Sequence, residues 1–146
     1  MTRKTLGDML AESFKSENRT YSYEEEGDVF FPESIFLHTI RFGSATVIGR
    51  GKDLDYLALT VDLGKVFPYL LVRGWEYTGT EEQYLANLQQ VEFQTFRSGC
   101  YNLVVVSNAK HFRMMMKAND LCVKLKLADR DDRIAVFDSI CAKGEV

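Results

Sequence analysis

The sequence predicts an α+β fold, a small mixed β-sheet with helices packed against it. Three observations carry this expectation. Apolar runs at 36–42, 56–61 and 101–106 have the length and the β-branched and aromatic content of strands. Segments 5–16, 109–126 and 129–142 instead repeat their apolar residues at helical spacing. The two kinds of segment are interspersed, so helices must cover a sheet rather than form a separate bundle.

Taken in order, Thr5-Leu6-Gly7-Asp8 has the form of a capping box, and Leu6, Met9, Leu10 and Phe14 follow on one helical face. Ser16 to Asp28 is polar and acidic, with Tyr21 and Tyr23 alternating as in a short edge strand or extended loop; Glu24-Glu25-Glu26 reads as a solvated acidic turn. Pro32 starts a turn or short helix, and Ile35 to Phe42 contains the first core strand. The backbone must turn between Gly43 and Lys52. Tyr56 to Val61 is a buried strand ended by Asp62-Leu63-Gly64, and a helix beginning near Lys65 tolerates Pro68 in its first turn. Gly74 to Thr80 is loop or short strand, and Glu81 to Gln89 a further short helix. Val91–Phe96 and Tyr101–Val106 form a hairpin, with Ser98-Gly99 favoured as a two-residue turn that places Thr95 opposite Asn102. Two helices close the chain. Ala109 to Lys126 buries Phe112, Met115, Met116, Cys122 and Val123, and Asp129 to Ala142 buries Ile134, Phe137 and Cys141.

Composition bounds the function. A chain of 146 residues with 46% hydrophobic and 27% charged residues is expected to be one domain spanning 1–146, with the helix at 5–16 as an extension. Net charge is −3, which argues against general nucleic-acid binding but allows a local basic patch. No apolar run has membrane-spanning length, and Met1-Thr2-Arg3-Lys4 leads into an amphipathic segment rather than a signal peptide. The expectation is a cytoplasmic protein whose Cys100, Cys122 and Cys141 stay reduced; with His38 and His111 they do not have the spacing of a zinc site.

Chemistry concentrates between Gly43 and Leu59. If Asp53 to Leu59 is a strand, Asp53 and Asp55 point the same way, about 7 Å apart. Paired carboxylates suit a hard divalent cation such as Mg²⁺, and the glycines let backbone N–H groups approach a polyphosphate. The alternative is a solvated strand edge. Arg50 and Lys52 are placed either to neutralise phosphate or to pair with the two carboxylates. No P-loop sequence is present, and Gly43, Gly49 and Gly51 lack dinucleotide-binding spacing.

Gly43-Ser44 at the end of one strand, and Asp53-Leu54-Asp55 about ten residues on at the start of the next, resemble the minimal nucleotidyltransferase, polymerase-β-like superfamily. Phe96-Arg97-Ser98-Gly99, Asn102-Leu103-Val104-Val105-Val106 and Asp132-Arg133 are similar to small phage-encoded proteins described as nucleotidyltransferases. The resemblance spans about residues 36 to 140. It implies Mg²⁺-dependent transfer of a nucleoside monophosphate from an NTP to an acceptor: RNA, protein or a small molecule. Gly43 and Ser44, with Arg50 and Lys52, would hold the triphosphate, and Asp53 and Asp55 would share two Mg²⁺ ions. The superfamily's third carboxylate falls at Asn102, an amide that brings no charge and accepts no proton at neutral pH. In the favoured two-residue turn Glu92 lies on the other face, whereas a three-residue loop would slip the register by one and bring it round to the face of Asn102. A weakened two-ion site follows. The alternative is a catalytically degenerate binding protein that keeps the fold and engages a host factor or a nucleotide signal.

Lys110, Arg113, Lys117 and Lys124 fall within about a 60° arc of one helix, either a phosphate-facing stripe or a solvated face. Met114-Met115-Met116 reads as core filling, and Trp75 with Tyr77 as a buried anchor or a base-stacking pair.

Overall fold

The structure is a computed structural model and describes residues 19–79 and 93–143, without the side chains of 141–143. The expected helices at 5–16 and 81–89, with Glu92 and Cys141, lie outside the described residues or side chains. The elements are α1 (Tyr23–Glu26), β1 (His38–Phe42), α2 (Ser44–Ile48), β2 (Leu54–Leu59), α3 (Leu63–Val72), β3 (Glu76–Gly79), β4 (Gln94–Ser98), β5 (Tyr101–Val106), α4 (Ala109–Lys124) and α5 (Arg130–Lys143).

Five strands form one mixed sheet in the order β1-β2-β5-β4-β3. Among the described residues only the β2–β5 pair is parallel, with Asp55 opposite Asn102 and Leu57 opposite Val104. β2 and β5 are central and covered on both faces, which is why Tyr56–Leu59 and Leu103–Val106 read as continuous apolar runs rather than alternating ones. On one face Phe42, Leu57, Leu59, Val104 and Val106 pack with Phe112, Met115, Ala118, Cys122 and Phe137 of α4 and α5. On the other, Leu54, Tyr56, Ala58, Leu103 and Val105 pack with Val66 and Leu70 of α3, with Trp75, and with Tyr23 and Phe36.

Several boundaries differ from the expectation, each for a local reason. Tyr21 makes one bridge to Gly51, and Tyr23 opens a single helical turn because the Ser22 hydroxyl accepts from the Glu25 amide. α3 starts at Leu63 rather than near Lys65, since Asp62 caps it by accepting from Gly64 N–H. Pro68 therefore sits beyond the first turn, and the carbonyl it leaves without a helical donor belongs to exposed Gly64, where water can serve. β2 ends at Leu59, and Val61 is exposed. α4 buries Met114, Ala118 and Asn119 in addition to Phe112, Met115 and Cys122, while Val123 is exposed and Met116 half-buried. On α5, Phe137 is buried and Ile134 half-buried.

The hairpin turn is Gly99-Cys100, not Ser98-Gly99, because Ser98 pairs with Tyr101. Gly99 has φ +60°, as the first central position of a type II′ turn requires. The register is thus two residues from the expected one, and Arg97, not Thr95, lies opposite Asn102. A shift of two preserves the faces.

Candidate carboxylate site

The site begins at the end of β1, where the chain must leave the sheet beside the first turn of β2. Phe42 pairs with Asp55 across the ladder, so the next residue, Gly43, meets the Asp55 side chain. Gly43 has φ +81°, and a Cβ there would lie 3.1 Å from Asp55 Cγ and closer still to Oδ2. Only glycine satisfies both conditions. Gly43 N–H donates to Asn119 Oδ1 at 2.9 Å, and Asn119 Nδ2 donates to Thr46 Oγ1 at 3.2 Å. A buried amide of α4 thereby fixes the start of α2, which closes at Gly49 in the left-handed conformation.

Asp55 sits on β2 and Asn102 directly opposite on β5, both on the face covered by α4 and α5. Asn102 Nδ2 donates to Asp55 Oδ1 at 3.2 Å. Asp53, just before β2, pairs with the Arg97 guanidinium, whose Nη2 donates to Oδ1. Asp55, Asn102 and Arg97 thus share a sheet face, with Gly43 against Asp55 and Asp53 reaching Arg97 from the bend before β2. From the opposite face the buried Tyr23 hydroxyl donates to the carbonyls of Asp55 (2.7 Å) and Phe42 (3.2 Å), tying the ends of β1 and β2 together. Burial, then the Asp55 charge, push the Tyr23 phenol above its ordinary range, so it stays a donor at any physiological pH.

Of the sequence-predicted residues, Gly43, Asp55 and Asn102 come together; Asp53 lies in the bend before β2 rather than on the strand and pairs with Arg97, and Ser44 opens α2 beside Gly51. Lys52 is exposed and makes no ion pair among the described residues. Arg50 turns away: it pairs with Glu25 at 2.5 Å and donates to Thr20, clamping the segment before α1. That pairing holds the Glu25 carboxyl below its ordinary range. Arg97 and Asn119 are the residues sequence reasoning missed. A correct turn assignment would have found Arg97; nothing local signals Asn119, which reaches Gly43 across the fold.

The aromatic pair resolves into packing roles. Trp75 is buried against Phe31, with ring centroids 5.8 Å apart, and Tyr77, 44% exposed, packs at the edge of a three-ring cluster with Phe67 and Phe96. A groove of about 360 Å³ opens beside β1, lined in part by residues 28–39, and three of its polar groups bond to one another: Arg41 forks onto Asp28, which also accepts from Tyr56. The described cysteines, Cys100 and Cys122, are free thiols. Among the described residues no helix is long and apolar enough to cross a membrane.

No protein-family model, curated protein or solved structure matches the chain.

Proposed function

We propose that this chain is a nucleotidyltransferase-like protein that uses Asp53 and Asp55 to handle an NTP with Mg²⁺ and to pass its NMP to an acceptor hydroxyl or amine, the Pα–O–Pβ bond breaking as pyrophosphate leaves. The observation that supports the reading is the meeting of Gly43, Asp55 and Asn102 on one sheet face, with Asp53 just before β2 paired to Arg97, the residue opposite Asn102. The resemblance implies two Mg²⁺ ions, and two carboxylates without a third acid would favour one. Two carboxylates with substrate phosphates and water suffice for a single octahedral ion, whereas a second ion wants a further acid. Among the described residues no group of three or more His, Cys, Asp or Glu side chains is gathered to supply it. Bound there, Mg²⁺ supplies charge neutralisation on the reacting phosphate.

The chain's own residues carry the remaining roles. The Arg97–Asp53 pair has side chains 45% and 33% exposed, and ion pairs so exposed contribute only about 0.2–1 kcal/mol. Asp53 can therefore exchange its partner at little cost, which frees the Arg97 fork for phosphate oxygens. Asn102 holds Asp55 in place by donating to it. Gly43 keeps the space beside Asp55 clear of side chain.

A second reading, a degenerate binding protein that engages a nucleotide signal or host factor, is favoured by Asn102 where an acid would serve as base. Calorimetric titration of ATP and GTP, with and without Mg²⁺, followed by a pyrophosphate-release assay, separates the two. Micromolar, Mg²⁺-dependent binding that disappears in Asp53→Ala/Asp55→Ala, together with pyrophosphate release in the presence of an acceptor, supports the first; the same binding with no release supports the second. Silence with both nucleotides sinks the first and leaves the second.

A further inference from the structure

We propose that the outward face of α4 binds the phosphodiester backbone of duplex nucleic acid, independently of the carboxylate site. Lys110, Arg113, Lys117 and Lys124 are all exposed, and none makes an ion pair among the described residues. The same helix carries one carboxylate, Asp120, so four cations face one acid on a chain whose net charge is −3. Such a separation of charge is the footprint of a polyanion contact.

The geometry suits a duplex. From Lys110 to Lys124 the stripe runs about 21 Å at 1.5 Å per residue, the axial length of roughly six phosphates on one strand. The opposite face of α4 is anchored in the core by Phe112, Met115, Ala118 and Cys122, so the cations stand on a fixed support. No aromatic ring lies on the stripe, which removes base stacking and leaves backbone contacts without sequence preference. Acids on the neighbouring helix do not neutralise it: Asp131 and Asp132 are exposed on the first turn of α5, and neither pairs with an α4 cation. Asn119 points to Gly43, away from the stripe, so the surface and the carboxylate site are separate.

Fluorescence anisotropy with a labelled duplex of about 20 bp, from about 50 to 200 mM KCl, reads the proposal directly. The full chain should bind with log K falling against log[salt] at a slope of about −3 to −4. Arg113→Glu/Lys117→Glu should weaken binding by at least about tenfold at low salt and flatten the slope by about 2. Lys65→Glu, an exposed lysine on α3 across the sheet, should change neither. If the double variant melts differently from the parent, Lys110→Gln/Lys124→Gln replaces it. No binding at the lowest salt overturns the proposal, as does equal loss in Lys65→Glu or an unchanged slope in the stripe variants. Binding to phosphatidylserine vesicles in place of the duplex would assign the stripe to a membrane surface and also overturn it.

Discussion

Gly43 and Asp55 constrain each other. The glycine's backbone at φ +81°, ψ −164° is a conformation almost confined to glycine and costs an L-residue on the order of 1–3 kcal/mol, and the Asp55 carboxylate occupies the space a methyl would need. Gly43→Ala should therefore lower the urea midpoint by more than that strain alone; an unchanged midpoint would contradict the geometry. Asn102 sits in a similar balance. In Asn102→Asp two carboxylates face each other across β2 and β5 and one hydrogen bond is lost, which should cost about 1–2 kcal/mol without a cation. Millimolar Mg²⁺ should restore the thermal midpoint of this variant and leave the parent's less changed. Failure of Mg²⁺ to restore it would separate Asn102 from any cation site. Gly43, Asp53 and Asp55 could be picked out in the sequence because their spacing is local. Arg97 could not, since the residue opposite Asn102 depends on which two residues make the turn.

At the scale of elements, short-range chemistry decides the boundaries. Asp62 and Asn108 cap α3 and α4 through their side chains, and Gly99 sets the hairpin. The hydrophobic period located α4 correctly. It missed Asn119, a polar residue that is buried because Gly43 and Thr46 complete its hydrogen bonds. Asn119→Leu leaves the Gly43 N–H without that acceptor and should destabilise the protein by about 1–3 kcal/mol, read as a fall in urea midpoint. The segment joining α1 to β1 is held by Asp28, which accepts from Arg41 and Tyr56. The Arg41 hydrogen bonds hold the Asp28 carboxyl below its ordinary 3.8. A depressed carboxylate contributes stability that is present above the ordinary value and lost as pH falls through the lower folded one. Amide exchange at Val29, whose N–H donates to the Tyr56 hydroxyl, should accelerate only below about pH 4, and Asp28→Asn should remove that acid step. An unchanged step in the variant would assign it to another carboxylate.

Across the whole molecule, the fold class and most strands could be read from apolar runs, because β2 and β5 are buried on both faces. The strand order could not. The parallel pairing of β2 with β5 joins segments separated by α3, β3 and β4, and no local pattern specifies it. That pairing is what brings Asn102 to Asp55 and, through the hairpin, Arg97 to Asp53. The N-terminal segment adds a second long-range constraint, with Tyr23 bridging the ends of β1 and β2 and Arg50 clamping Glu25. The candidate site is therefore a property of the assembled sheet, on the opposite face from Tyr23. The most direct test of it is paramagnetic broadening of backbone amide resonances by substoichiometric Mn²⁺ with ATP. A functional carboxylate site broadens Gly43, Asp55 and Asn102 first, and Asp53→Ala/Asp55→Ala abolishes the effect. Broadening confined to Glu24–Glu26 or Asp131–Asp132, with Gly43 and Asp55 unaffected, would contradict it.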